Sequence, residues 1–159
     1  MIFVTIGSLF PFDRLVRLMD EFAPSLPQEQ FFAQIANGKY EPQNMPFARM
    51  LSRREFGDKL GKAKLIVAHA GMGSVISAME SKKPIVILPR IFEQGEHTTD
   101  HQMATARWLS TKRGVYVAMS SDELRPTIKT ALAAPVSSAM LPTAPTEFLD
   151  KIRTYISGL

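Results

Sequence analysis

Two short stretches of the sequence gather most of the residues able to do chemistry. The first, His69-Ala70-Gly71-Met72-Gly73-Ser74, has the parts needed to hold a phosphate. Its glycines let the backbone approach an anion without a Cβ in the way. The N–H groups and dipole of a following helix favour negative charge, Ser74 can add a hydroxyl donor, and His69 could donate to a phosphate oxygen. The plainer alternative is a tight strand-to-helix turn whose glycines serve packing alone. The second stretch, Pro89 to Gln102, packs Arg90, Glu93, Gln94, Glu96, His97, Asp100, His101 and Gln102 together. Carboxylates and amides hydrogen-bond sugar hydroxyls in pairs, so this mixture suits a sugar. Its alternative is a solvated loop with Thr98 or Thr99 capping a helix. All three histidines, His69, His97 and His101, fall in these two stretches, which concentrates every near-neutral titrating side chain in one region. His97 and His101 are spaced for a metal and flanked by acids, but the ordered ligand set of a zinc signature is missing, so no metal is expected.

The elements around these stretches explain how they would meet. Leu65 to Ala68 reads as a buried strand before the first stretch, with a helix from Ser74 to Ser81 after it. Ile85 to Leu88 is a second continuous apolar strand, followed by the polar loop and a helix to about Leu109. Upstream, Ile2 to Ile6 is a β-branched run that stops at Gly7-Ser8, and the spacing of Leu15, Val16, Leu18, Met19 and Phe22 turns helical. Phe31 to Ala36 and a stretch near Pro46 to Leu51 are further strand candidates, with a short helix around Glu55 to Lys62. Val115 to Ala118 closes the strand series, and Ser120 or Ser121 can cap a helix running to Ala134. Continuously apolar strands alternating with helices predict a doubly wound, mostly parallel α/β sheet of Rossmann type. Ligands of such sheets gather at the carboxyl ends of the strands, which marks Gly7-Ser8, the His69 loop and the Pro89 loop. Residues 135–145, rich in Pro, Ser, Ala and Thr, read as a linker, and 146–159 as an amphipathic helix that packs back on its own domain or docks a partner.

The bulk numbers narrow the function. At 159 residues with 45% hydrophobic content, the chain suits one core-bearing domain, here 1–134. No cysteine is present, which excludes a disulfide framework, a thiol nucleophile and thiolate metal sites, and is compatible with a reducing cytoplasm. The charge of +4 comes from scattered Lys and Arg without a basic block, so no nucleic-acid partner is expected. Apolar stretches are strand-length, and Met1 to Phe10 reads as a first strand, not as a signal peptide.

The residues also resemble a known family. Val4-Thr5-Ile6-Gly7-Ser8 with Phe12-Asp13, His69 to Ser74, and Pro89-Arg90 through Gly95-Glu96-His97 to Asp100-His101-Gln102 look like the family 28 glycosyltransferase C-terminal domain. Within it, they are most similar to the short stand-alone PssE/Alg13-like subunit of a split glycosyltransferase. The resemblance implies the GT-B architecture, a UDP-sugar donor and no cofactor. It also implies a membrane-anchored PssD/Alg14-like acceptor subunit, a polyprenyl-linked acceptor and recruitment to the cytoplasmic face of a membrane through that partner. Carried over by position, His69, Gly71, Gly73 and Ser74 would hold the diphosphate, with Gly7 and Ser8 beneath it. Gln102 with His101 matches the sugar-contacting position, and Glu96, His97 and Asp100 would finish the sugar pocket, with Arg90 beside it. Where fuller members of the family often carry an acid for the ribose, this sequence has Ser77, so that contact falls to Ser77, to Glu80 or elsewhere. The implied reaction is inverting transfer, exopolysaccharide or lipid-linked glycan assembly being its setting, with the general base unassigned in this sequence and the partner one candidate source.

Three rival readings remain beside it. A nicotinamide oxidoreductase should show G-x-G-x-x-G after the first strand, where Gly7 to Phe12 offers a single glycine. A UDP-sugar epimerase would need a longer chain. A non-catalytic UDP-sugar-binding subunit would keep the same loops.

Overall fold

The computed structural model describes residues 1–134; the linker and terminal helix read from the sequence for 135–159 lie outside the described residues. Six strands run in chain order: β1 (Ile2–Thr5), β2 (Phe31–Gln34), β3 (Phe47–Ala48), β4 (Leu65–His69), β5 (Ile85–Leu88) and β6 (Val115–Val117). Five helices alternate with them: α1 (Asp13–Phe22), α2 (Arg53–Lys62), α3 (Met72–Glu80), α4 (His101–Leu109) and α5 (Ser121–Ala133).

All the strands pair in parallel in the order β3-β2-β1-β4-β5-β6. The order reverses between β1 and β4, so connections leave these two strands toward opposite sides and open a crevice at their carboxyl ends.

Both faces of the sheet are covered, and the strand pleat sorts the core accordingly. Ile2, Val4, Leu65, Val67, Val86 and Leu88 pack on one side with Leu15, Val16, Met19 and Phe22 of α1 and Leu124, Ile128 and Ala131 of α5. Phe3, Ile66, Ala68, Ile85 and Ile87 pack on the other with Leu60 of α2, Val75 and Ala78 of α3, and Ala106 and Leu109 of α4. Successive side chains of a strand point to opposite faces, so a sheet buried on both sides must read as an unbroken apolar run.

Two helices start earlier than the apolar spacing predicts. Ser52 caps α2 in a full capping box: its hydroxyl accepts from Glu55 N, and Glu55 accepts from Ser52 N. The signature Ser52-x-x-Glu55 is present in the sequence and sets the start at Arg53. The other case is α3, which begins at Met72 rather than Ser74, with Gly71 at the N-cap and no side chain capping it. Gly73 therefore sits inside the first turn, not ahead of it.

Candidate functional site

At the crevice between β1 and β4 lies an open cavity of about 510 Å³. Its walls come from the ends of four strands. The turn Gly7 to Phe10 follows β1, Gln34 ends β2, and His69 and Gly71 with the first turns of α3 follow β4. Arg90, His97 and Gln102 come from the segment after β5.

Of the residues expected to bind, Gly7, Ser8, His69, Gly71, Gly73, Ser74, Ser77, Arg90, His97 and Gln102 line this one cavity. Glu96, Asp100 and His101 do not. Asp100 and His101 point outward at the start of α4 and are exposed. The Glu96 carboxylate is turned away, held by Arg14 of α1 at 2.7 Å through both oxygens and by Ile91 N at 2.8 Å. A guanidinium fork satisfies a carboxylate better than a solvated hydroxyl, which explains where Glu96 points. Glu80 is likewise outside the lining. Asp100 takes the N-cap position of α4 without a side-chain bond, in place of Thr98 or Thr99. Among the described residues no three His, Asp or Glu side chains gather to hold a metal.

The His69 ring lies between two glycines of the lining. A Cβ on Gly71 would stand 2.1 Å from its Nε2, and one on Gly7 would stand 2.9 Å from its Cε1. Two glycines thus leave the slot that the imidazole fills, and Gly7 also needs its φ of +75°. Burial, then the charges of Arg90 and His97, hold His69 at a pKa of about 4. It is neutral at neutral pH and can offer one N–H without a charge. Its Nδ1 is buried with no hydrogen-bond partner among the described residues.

The helix start beside it is open. Gly71 O accepts from Ser74 N at 3.1 Å and Val75 N at 3.3 Å, but no side chain caps the N–H groups of the first turn. Apart from its chain neighbours and its own helix backbone, no atom lies within 4 Å of where a Cβ on Gly73 would stand. Ser77 donates its hydroxyl to Gly73 O at 2.9 Å. An uncapped, uncrowded helix N-terminus on a cavity is a place where an anion is stabilised by N–H groups and dipole together.

The opposite wall is built around Arg90, which is 3% exposed. Its guanidinium crosses to β1 and donates to Ile6 O at 2.8 Å and Phe10 O at 2.7 Å. Burial pulls it down to about 10, with Glu96 opposing, so it remains a cation at neutral pH. Arg90 N donates to Gln102 Oε1 at 3.0 Å, which orients the carboxamide and leaves its Nε2 without a partner among the described residues. His97 packs its ring on Phe10 with centroids 5.2 Å apart and accepts at Nδ1 from Thr99 N.

The third wall comes from β2 and the segment after β3, whose residues carry no local motif. Thr5 donates to Gln34 Oε1 at 2.6 Å, and Gln34 Nε2 donates to Gly7 O at 3.0 Å, which pins the first turn from the neighbouring strand. Met50, Leu51 and Phe56 complete the lining with apolar surface. Gln34 closing a buried strand was the one available hint, since a buried amide must find partners.

The model of the glycosyltransferase family 28 C-terminal domain matches residues 1–153. No curated protein matches the sequence. Among solved structures, the crystal structure of the glycotransferase of kitacinnamycin is 18% identical with a TM-score of 0.61, over 86% of this chain and 36% of that one. Glycosyltransferase SsfS6 from Streptomyces sp. SF2575, complexed with thymidine diphosphate, is 18% identical with a TM-score of 0.51, over 89% and 38%. The solution structure of ALG13 is 16% identical with a TM-score of 0.55, over 96% and 94%. The chain thus spans little more than a third of the first two and nearly all of the third. At these identities the likeness is one of fold.

Proposed function

The chain belongs to the glycosyltransferase family 28 C-terminal domain, and from that premise we propose that it is the donor-binding half of a split, inverting UDP-sugar transferase. The observation that carries the reading is the open start of α3: Gly71, Gly73 and Ser74 bordering a 510 Å³ cavity at the β1/β4 switch point.

A diphosphate set over this helix start would receive the free N–H groups of the first turn and the Ser74 hydroxyl. The thymidine diphosphate in the SsfS6 structure supports a nucleoside diphosphate as the ligand class. Met50, Leu51 and Phe56 offer apolar surface for a base on the β2 side, with Ser77 toward the ribose. On the β5 side, Gln102 Nε2 and His97 are left to read a hexose or hexuronic acid.

In the transfer, an acceptor hydroxyl attacks the anomeric carbon, the C–O bond to the diphosphate breaks, and UDP leaves from the opposite face. Charge grows on the diphosphate, and donors already aimed at it stabilise the transition state without reorganising. Neutral His69 fits that task as a single N–H donor. No aspartate or glutamate is among the residues lining the cavity, which supports a general base supplied by a partner. Similarity to ALG13 along nearly its whole length supports that partner being a separate acceptor half, membrane-anchored and carrying a polyprenyl-linked substrate. Among the described residues no helix is long and apolar enough to cross a membrane, and recruitment to the membrane through the partner is part of the proposal.

Calorimetric titration with UDP, UDP-glucuronate, UDP-galactose and UDP-N-acetylglucosamine tests the reading. All four should share a UDP contribution that is weakened by Gly73→Ala, one donor should exceed UDP, and a chain that binds none refutes it. In a reconstituted pair, His69→Ala and Gln102→Ala should each lower turnover at least tenfold; unchanged turnover in both would make this subunit non-catalytic.

A further inference from the structure

Glu96 sits beside the proposed sugar wall without lining it, and its partner Arg14 comes from a different layer of the fold. The pair is bidentate: Arg14 Nε donates to Oε1 and Nη2 to Oε2, each at 2.7 Å. Both side chains are mostly buried, 17% and 12% exposed. The same guanidinium donates through Nη2 to Pro89 O at 2.9 Å and through Nη1 to Ser121 Oγ at 3.2 Å. Glu96 Oε2 accepts in addition from Ile91 N at 2.8 Å.

These bonds converge on one short piece of backbone. Pro89 O and Ile91 N flank Arg90, whose own N–H orients Gln102 and whose guanidinium reaches Ile6 O and Phe10 O. His97 follows Glu96 directly and packs on Phe10. Every cavity group of the β5 wall is therefore within three covalent or hydrogen-bonded links of the ion pair, while the α3 wall is attached to neither residue. A mostly buried ion pair is a poor source of net stability compared with apolar packing, because desolvating both charges offsets their attraction. What it does supply is fixed, two-pronged geometry.

We propose that Arg14 and Glu96 are positioning residues: their ion pair sets Arg90, His97 and Gln102 at the angle that reads the sugar, without touching the ligand. This reassigns Glu96 from a sugar contact to a strut, and gives α1 a role in donor selection. The inference rests on the proposed UDP-sugar reading, and its consequence is selective. Breaking the pair loosens recognition of the sugar and leaves recognition of the diphosphate alone.

The test uses the full chain and two ligands, UDP and the UDP-sugar of the panel above that the wild type binds most tightly. Glu96→Gln, which is nearly isosteric, and Arg14→Lys, which keeps the charge and loses the fork, should each weaken the UDP-sugar about tenfold and UDP by less than twofold. The swap Arg14→Glu with Glu96→Arg should recover part of the sugar affinity. Without ligand, the Gln102 side-chain amide resonances should move toward free-glutamine positions in Glu96→Gln, a readout that holds even if Arg14→Lys folds poorly. Equal losses for both ligands, or unchanged sugar affinity with unmoved Gln102 resonances, would overturn the positioning role while the functional reading stands. A wild type that binds neither ligand removes the functional reading and this inference together.

Discussion

Gly71→Ala isolates the physical reason for a glycine that looks at first like phosphate-loop chemistry. Gly71 has φ −97° and ψ 133°, a conformation that alanine adopts freely, so the backbone contributes no strain. The obstacle is His69: the new Cβ would stand 2.1 Å from Nε2 and 2.7 Å from Cδ2. The other flank of the ring lies beside Gly7, where a Cβ would stand 2.9 Å from Cε1. Overpacking of this kind costs about 1–3 kcal/mol. The gain from a stiffer unfolded chain offsets about 0.4–1 kcal/mol of it. The net loss is then roughly 1–2 kcal/mol, or a fall in Tm of about 3–8 °C for a chain of this size. In a His69→Ala background the obstacle is gone, so Gly71→Ala should turn neutral or stabilising, by up to about 1 kcal/mol. Urea denaturation of the wild type, both single variants and the double variant gives the cycle directly. If Gly71→Ala costs the same in both backgrounds, the imidazole slot is not why position 71 is glycine.

Other outcomes follow from the same geometry. Gly73→Ala has open space around it and lies in the first turn of α3, so it should raise Tm by a few degrees through helix propensity of up to about 1 kcal/mol. It should at the same time weaken UDP binding, since the methyl enters the space proposed for phosphate; a titration and a melt with changes of the same sign would contradict this. His69, near 4 in the folded chain against an ordinary 6.5, stays neutral when folded while the unfolded chain takes up its proton. Stability should therefore be fully present above pH 6.5 and fall as pH drops from 6.5 to 4, and His69→Gln should flatten that fall in chemical denaturation. Gln34→Leu removes the partner of the buried Thr5 hydroxyl and of Gly7 O, and should destabilise by about 1–3 kcal/mol in urea, whereas an effect below about 0.5 kcal/mol would mean that water replaces the amide.

The sheet, its layers and three of the loops that meet are legible in the chain's apolar pattern. Ile2 to Ile6, Leu65 to Ala68 and Ile85 to Leu88 are unbroken apolar runs, and such runs between helical repeats have few folds other than a parallel sheet covered on both faces. Once that is granted, Gly7, His69 and Arg90 must share one edge, because each follows a parallel strand. Local chemistry also carried more than the apolar spacing did: Ser52-x-x-Glu55 marks the true start of α2. Which side chains turn inward depends on contacts between distant parts of the chain. Glu96 and Arg14 are 82 residues apart, and nothing local tells that carboxylate to choose a guanidinium over the cavity. Gln34, Met50 and Leu51 enter the lining because β2 and β3 pair beside β1, a register set by crossovers and not by their own neighbours. Gly71 looks the same in sequence whether it serves an anion or a neighbour. Its reason is the imidazole two residues back, folded over it by the turn, with Gly7 beside the ring's other flank.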